Sequence, residues 1–141
     1  MAFRTVLGTN YRDAHNLCTQ LKKYVTDTRD LMAAGPVSGN VAVGLHERLI
    51  SDRAKLIAIR DLPGMGNFAK AQEDDVLYDV AAEFNAVLAA IVAVRDWMVT
   101  NIGSPNGWVT FSVTGVATKT YTSAQTAGLR TQLDALITTI A

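Results

Sequence analysis

The chain has 141 residues, 49 % of them apolar and 18 % charged, and its 13 basic and 13 acidic side chains give a formal net charge of +0. That length is one domain's worth and can bury a core without disulfide or metal staples. The charge balance argues against broad binding to a nucleic-acid backbone, and a charged share below the roughly 25 % usual in soluble domains suits an assembly subunit, or a stable monomer with an uncharged surface.

Residues 1–9 read as an extended arm, with Phe3, Val6 and Leu7 able to lie in a groove of the same or a neighbouring subunit. The opening MAFRTVLGTN lacks the apolar run of a signal peptide, and no stretch approaches the ~18 consecutive apolar residues of a membrane span. The expectation is a protein made and used without export through a cleavable signal, with no membrane partner. Asn10 is a good N-cap for a first helix, and Asp13 favours its dipole. This helix runs to about Ala34 with Ala14, Leu17, Cys18, Leu21, Val25, Leu31 and Met32 on its inner face, and Gly35-Pro36 stops it. The single Cys18 reads as a buried structural thiol.

A second helix starts near Ser38 to Asn40 and extends to Arg60. Its inner stripe is Ala42, Leu45, Leu49, Leu56 and Ile59, interrupted by Asp52, and Ile50 and Ile57 widen the apolar arc. The run from Leu62 to Asn67 breaks it, and Gly64-Met65-Gly66-Asn67 lacks the Gly-Lys-Ser/Thr ending of a phosphate loop. The third helix begins at Asn67 or at the acidic cluster Glu73-Asp74-Asp75, whose charges would suit a first turn. From Asp75 to Ile102 it is the longest segment free of Gly and Pro, with Leu77, Val80, Ala81, Phe84, Leu88, Ile91, Val92, Met98 and Ile102 at helical spacing and Arg95 as the one exception on that face.

After the break at 103–107 the period turns from helical to alternating. Trp108 to Val113 and Val116 to Tyr121 flank Thr114-Gly115, the pattern of a two-residue hairpin. Val113 then faces Val116, Phe111 faces Thr118 and Val109 faces Thr120, with Trp108 opposite Tyr121 on the other side. A lone ribbon is marginal in water, so it must lean on the helices or pair with another chain. Thr122-Ser123-Ala124-Gln125 has the form of a capping box, and the last helix carries Leu129, Leu133, Leu136, Ile137 and Ile140 on one face. The expected fold is therefore mainly α. It is an antiparallel four-helix bundle in a single domain, 1–141, with an arm at 1–9, three helices in 10–102, one β-hairpin at 108–121 inserted before the last helix, and that helix at 122–141.

No catalytic signature emerges. His15 and His46 lie on different predicted helices, where surface or interface positions are expected. His46-Glu47 lacks the second His of a zinc-protease pattern, and there is no Glu-x-x-His, Gly-x-Ser-x-Gly or Cys-x-x-Cys. Hence no catalytic, cofactor-binding or metal residues are assigned, and the expectation is that the protein is not an enzyme; the competing enzyme reading would rest on His15, His46 and the Glu73-Asp74-Asp75 acids. Trp97 and Trp108 fit a core junction better than a base-stacking platform, so no nucleic-acid partner is expected. Bases dominate between Arg12 and Arg60 and acids between Asp61 and Asp96. Either neighbouring helices complement one another, or subunits pair head to tail.

Arg95-Asp96-Trp97, the Gly-rich break, a short hairpin and then Tyr121-Thr122-Ser123-Ala124-Gln125-Thr126-Ala127-Gly128-Leu129-Arg130-Thr131-Gln132-Leu133-Asp134-Ala135-Leu136 look like small proteins encoded among the structural genes of tailed bacteriophages. The resemblance covers roughly Phe84 to Ala141 and has no functional motif, so it transfers no site residues. It implies a non-enzymatic component of the virion, made in the host cytoplasm and placed in a ring or repeated array, such as a neck, tail or capsid accessory protein. Its partners would be further copies of itself and other virion proteins. The assembly-interface candidates are Phe3, Val6, Leu7, Trp108, Val109, Phe111, Val113, Val116 and Tyr121. The alternative is a small helical adaptor that presents an apolar groove between its first two helices to a protein partner.

Overall fold

A computed structural model describes residues 9–62, 70–73, 76–102, 116 and 119–140, with side chains described for 12–62, 82–102, 116 and 119–140. These residues are mainly helical: α1 spans Thr9–Ala34, α2 Gly39–Arg60, α3 Val80–Asn101 and α4 Ala127–Ile140. They also include four short strands, β1 at Val37–Ser38, β2 at Lys70–Glu73, β3 at Val76–Asp79 and β4 at Thr120–Tyr121. These pair as two antiparallel two-stranded sheets, β1 with β4 and β2 with β3. Helix α1 packs on α2 and α4, and α3 packs on the same two neighbours.

The helix ends follow local chemistry. Helix α1 stops at Ala34, immediately before Gly35-Pro36. Ser38 caps α2, its hydroxyl accepting a hydrogen bond from the Asn40 amide at 3.1 Å. The capping box before α4 is formed in both directions. The Thr122 amide donates to Gln125 Oε1 at 2.8 Å, and the Gln125 amide donates to Thr122 Oγ1 at 3.2 Å. Regular helix begins only two residues further on, after a turn in which the Thr126 amide donates to the Thr122 carbonyl at 3.1 Å.

The core takes one stripe from each helix. Leu21, Met32, Leu45, Leu49, Leu56, Phe84, Ile91, Met98, Leu129 and Leu133 are its largest fully buried side chains. On α1 the stripe runs Ala14, Cys18, Leu21, Val25, Thr28 and Met32. It passes through Thr28, so Leu31, expected inside, stands 53 % exposed: one residue before Met32, it is turned about 100° from that position, out past the Thr28 edge of the stripe. On α4 the stripe is Leu129, Leu133, Leu136 and Ile140, with Ile137 at its margin. Helix α3 buries Phe84, Val87, Leu88, Ile91, Val94 and Met98. The Trp97 indole lies against α4 at Gly128, where an added Cβ would come within 2.6 Å of Nε1. Only a residue without a side chain permits that approach.

Two expectations need correction. The third helix does not begin at Asn67 or the acidic cluster. It begins at Val80, and Val76–Asp79 is a strand whose residues Val76 and Asp79 face Glu73 and Lys70. Valine and tyrosine favour an extended backbone, and a partner strand lay just upstream, so pairing took a turn that helical spacing alone would have assigned to the helix. Glu83 is the acid in the first turn of α3; Asn67, Asp74 and Asp75 lie outside the described residues. The second correction concerns the hairpin. Val116, expected to open the second strand, is helical, its carbonyl accepting from the Lys119 amide at 3.1 Å, and Tyr121 and Thr120 pair with Val37 and Ser38; Trp108 to Val113 lie outside the described residues. Alternation marks a residue as able to extend, but it does not choose the partner. The connector between α1 and α2 supplies that partner, and the Gly39 amide extends the ladder with a 2.7 Å hydrogen bond to the Lys119 carbonyl.

Candidate functional site

Helices α1 and α2 leave between them a cleft of about 450 Å³. Helix α1 lines it with Asp13, Asn16, Leu17 and Gln20, and α2 with Arg48, Ser51, Asp52 and Lys55. Each set has the i, i+3, i+4, i+7 spacing of one helical face, so the cleft is where the flank of each stripe meets the other. Leu17 alone is apolar. The apolar groove that an adaptor would present at this place is thus replaced by a polar one.

Arg48 is held in the cleft by two contacts. Its Nε donates to Asp52 Oδ2 at 2.8 Å, one turn along α2, and the Asp52 side chain is only 4 % exposed. Asp52 is the residue that interrupts the apolar stripe of α2, and its charge enters the interior because Arg48 accompanies it. On its other side the Arg48 guanidinium lies over the Tyr24 ring, 5.0 Å from the centroid, a cation–π contact that holds its plane. The guanidinium is therefore fixed from two directions while its side chain keeps 34 % exposure toward the cleft.

Deeper in, the remaining titratable groups are structural. Cys18 is buried, and burial, reinforced by the negative charges of Asp52 and Glu83, pushes its thiol up to about 12. A thiol held there is almost wholly protonated at neutral pH and is a poor nucleophile. His46 was expected at the surface or an interface, but it has 0 % exposure on the inner face of α2. It sits at the helical spacing of Ala42 and Leu49, and that spacing carries it inward whatever its polarity. Burial, followed by the nearby Arg95 charge, lowers its pKa. Arg95 is itself 13 % exposed, with Nη1 2.8 Å from Asp96 Oδ1. Thus the exception noted on the face of the third helix does turn inward. His15 is half-buried on α1. Among the described residues no three His, Cys, Asp or Glu side chains gather where they could hold a metal ion.

Of the assembly-interface candidates, two are described. Val116 is buried with the core, and Tyr121 is half-buried against it as the partner of Val37 in the β1–β4 sheet. Phe3, Val6, Leu7, Trp108, Val109, Phe111 and Val113 lie outside the described residues. Compared with known protein families, curated proteins and solved structures, the chain matches none. The Arg48 clamp had a trace in the sequence, since Arg48 and Asp52 are four residues apart on one helix. Tyr24 as the third member had none, because it comes from another helix. Among the described residues no helix is long and apolar enough to cross a membrane.

Proposed function

We propose that the protein is a non-enzymatic structural subunit of a phage virion, a neck, tail or capsid accessory component, that associates with its own copies and with other virion proteins. The observation that carries this reading is the outward face of α3. This helix buries a large apolar stripe on one side, and on the other Ala86, Ala89 and Ala93 are exposed in a row that ends at the exposed Asp96. Exposed alanines let a second helix approach closely, and between Ala86 and Ala93 there is no charged group to strip of water. Light charge throughout the chain and the resemblance of its C-terminal part to small virion proteins support the same reading.

In this proposal the four helices form an antiparallel four-helix bundle. Residues 1–9 and the segment ending at Tyr121 tie one copy to the next, and α3 supplies the apolar contact. The virion is its place of action. The test is light scattering across a concentration series on the full chain, on a chain lacking the first nine residues, and on Ala89→Glu. The expected result is a discrete multimer that both changes weaken. A full-length chain that stays monomeric alone and with its candidate virion neighbours overturns the proposal.

A further inference from the structure

The polar cleft lies apart from the α3 face and has no part in the assembly just described. We propose that it binds a small oxyanion, the phosphate or carboxylate group of a polar molecule, between Arg48 and Lys55 and over Ser51. Arg48 is pre-set for this. Its Nε is occupied by a nearly buried carboxylate and its plane rests on Tyr24, while Nη1 and Nη2 make no hydrogen bond among the described residues. A guanidinium held by a carboxylate behind it presents its outer fork with little further loss of freedom, and that fork matches the two oxygens of an oxyanion.

Lys55 lies on the same face, seven residues on and so about 10 Å along the axis, within converging reach of two long side chains. Ser51 stands between them and offers a hydroxyl donor, and Asn16 and Gln20 bring amide donors from α1. Asp52 is already engaged by Arg48. Asp13 is the remaining carboxylate in the cleft, and it opposes an anion. That opposition makes the proposal sharp, because removing Asp13 must improve binding.

The experiment is an amide chemical-shift titration of the full chain with inorganic phosphate and, separately, with succinate. Saturable shifts in residues 13–20 and 48–55 are expected with at least one of them, and the tighter of the two identifies the source of the oxyanion. Lys55→Gln weakens binding about fivefold, and Asp13→Asn strengthens it about twofold. Both replaced residues are exposed, and the same spectra confirm that each variant is folded. Absence of saturation with both anions, indifference to Lys55→Gln, or failure of Asp13→Asn to tighten binding each overturns the proposal.

Discussion

Helices α4 and α2 obey the same spacing and bury opposite contents. The inner stripe of α4 is Leu129, Leu133, Leu136 and Ile140 alone. That of α2 holds Ala42, Leu45, Leu49 and Leu56, and among them His46 and Asp52. An all-aliphatic stripe needs only a partner of the right shape. A stripe with a carboxylate and an imidazole needs particular neighbours, and here Arg48 serves the first and Arg95 lies beside the second. The lesson is that a helix position is fixed by periodicity even when its side chain is polar, and the cost is then met by residues elsewhere.

The contrast can be broken first on α4. Leu133→Ala removes a fully buried side chain from a stripe with no polar group to relax toward, and should lower the unfolding free energy by about 3 kcal/mol, read from denaturant midpoints. On α2 the comparable change is electrostatic. Arg48→Met keeps much of the stem but leaves the Asp52 charge inside without its partner. A loss of about 2 kcal/mol is expected, and Arg48→Met combined with Asp52→Leu should recover most of it. A double variant no more stable than Arg48→Met would mean that Asp52 is held by other groups.

Smaller effects sharpen the difference. Thr122→Ala removes one arm of the box that starts α4, at a cost of about 1 kcal/mol, and helical content measured by circular dichroism should melt correspondingly earlier. The smallest effect belongs to α2 alone. His46 has a folded pKa below its unfolded value, so the unfolded chain takes up a proton first as pH falls. Its contribution to stability is fully present above about pH 6.5 and is lost as the pH drops below that value toward the folded pKa. Thermal melts between pH 7 and pH 5 should show a falling midpoint for the native chain and a shallower fall for His46→Leu. Identical slopes would remove His46 as the source. The α4 substitution Leu133→Ala should leave that slope unchanged.

The sequence carried most of the helical framework. The end of α1, the limits of α2, the stop at Gly35-Pro36, the reciprocal cap at Thr122 and Gln125 and the buried stripe of α4 are all local matters of spacing, capping and chain breaks, and those act through residues within a turn or two of one another. Asn10, expected as the cap of α1, instead lies inside it after Thr9. The cleft was half legible. Arg48 and Asp52 at i, i+4 foretell an ion pair, yet its depth depends on where α1 lies.

Three features needed the tertiary structure. Thr28 went inside while Leu31 stayed out, since the arc of α1 that faces the core is chosen by the helices around it. Tyr121 joined Val37, because an extended segment pairs with whichever strand edge the fold brings alongside, and sequence alternation is silent about partners separated by most of the chain. His46 was enclosed with Arg95 close by, since helices α2 and α3 meet along those faces. In each case sequence by itself determined the local conformation or the side of the helix, and only the packing of distant segments decided which neighbour each residue met, because contact energies between remote parts of a chain depend on geometry that no local pattern encodes.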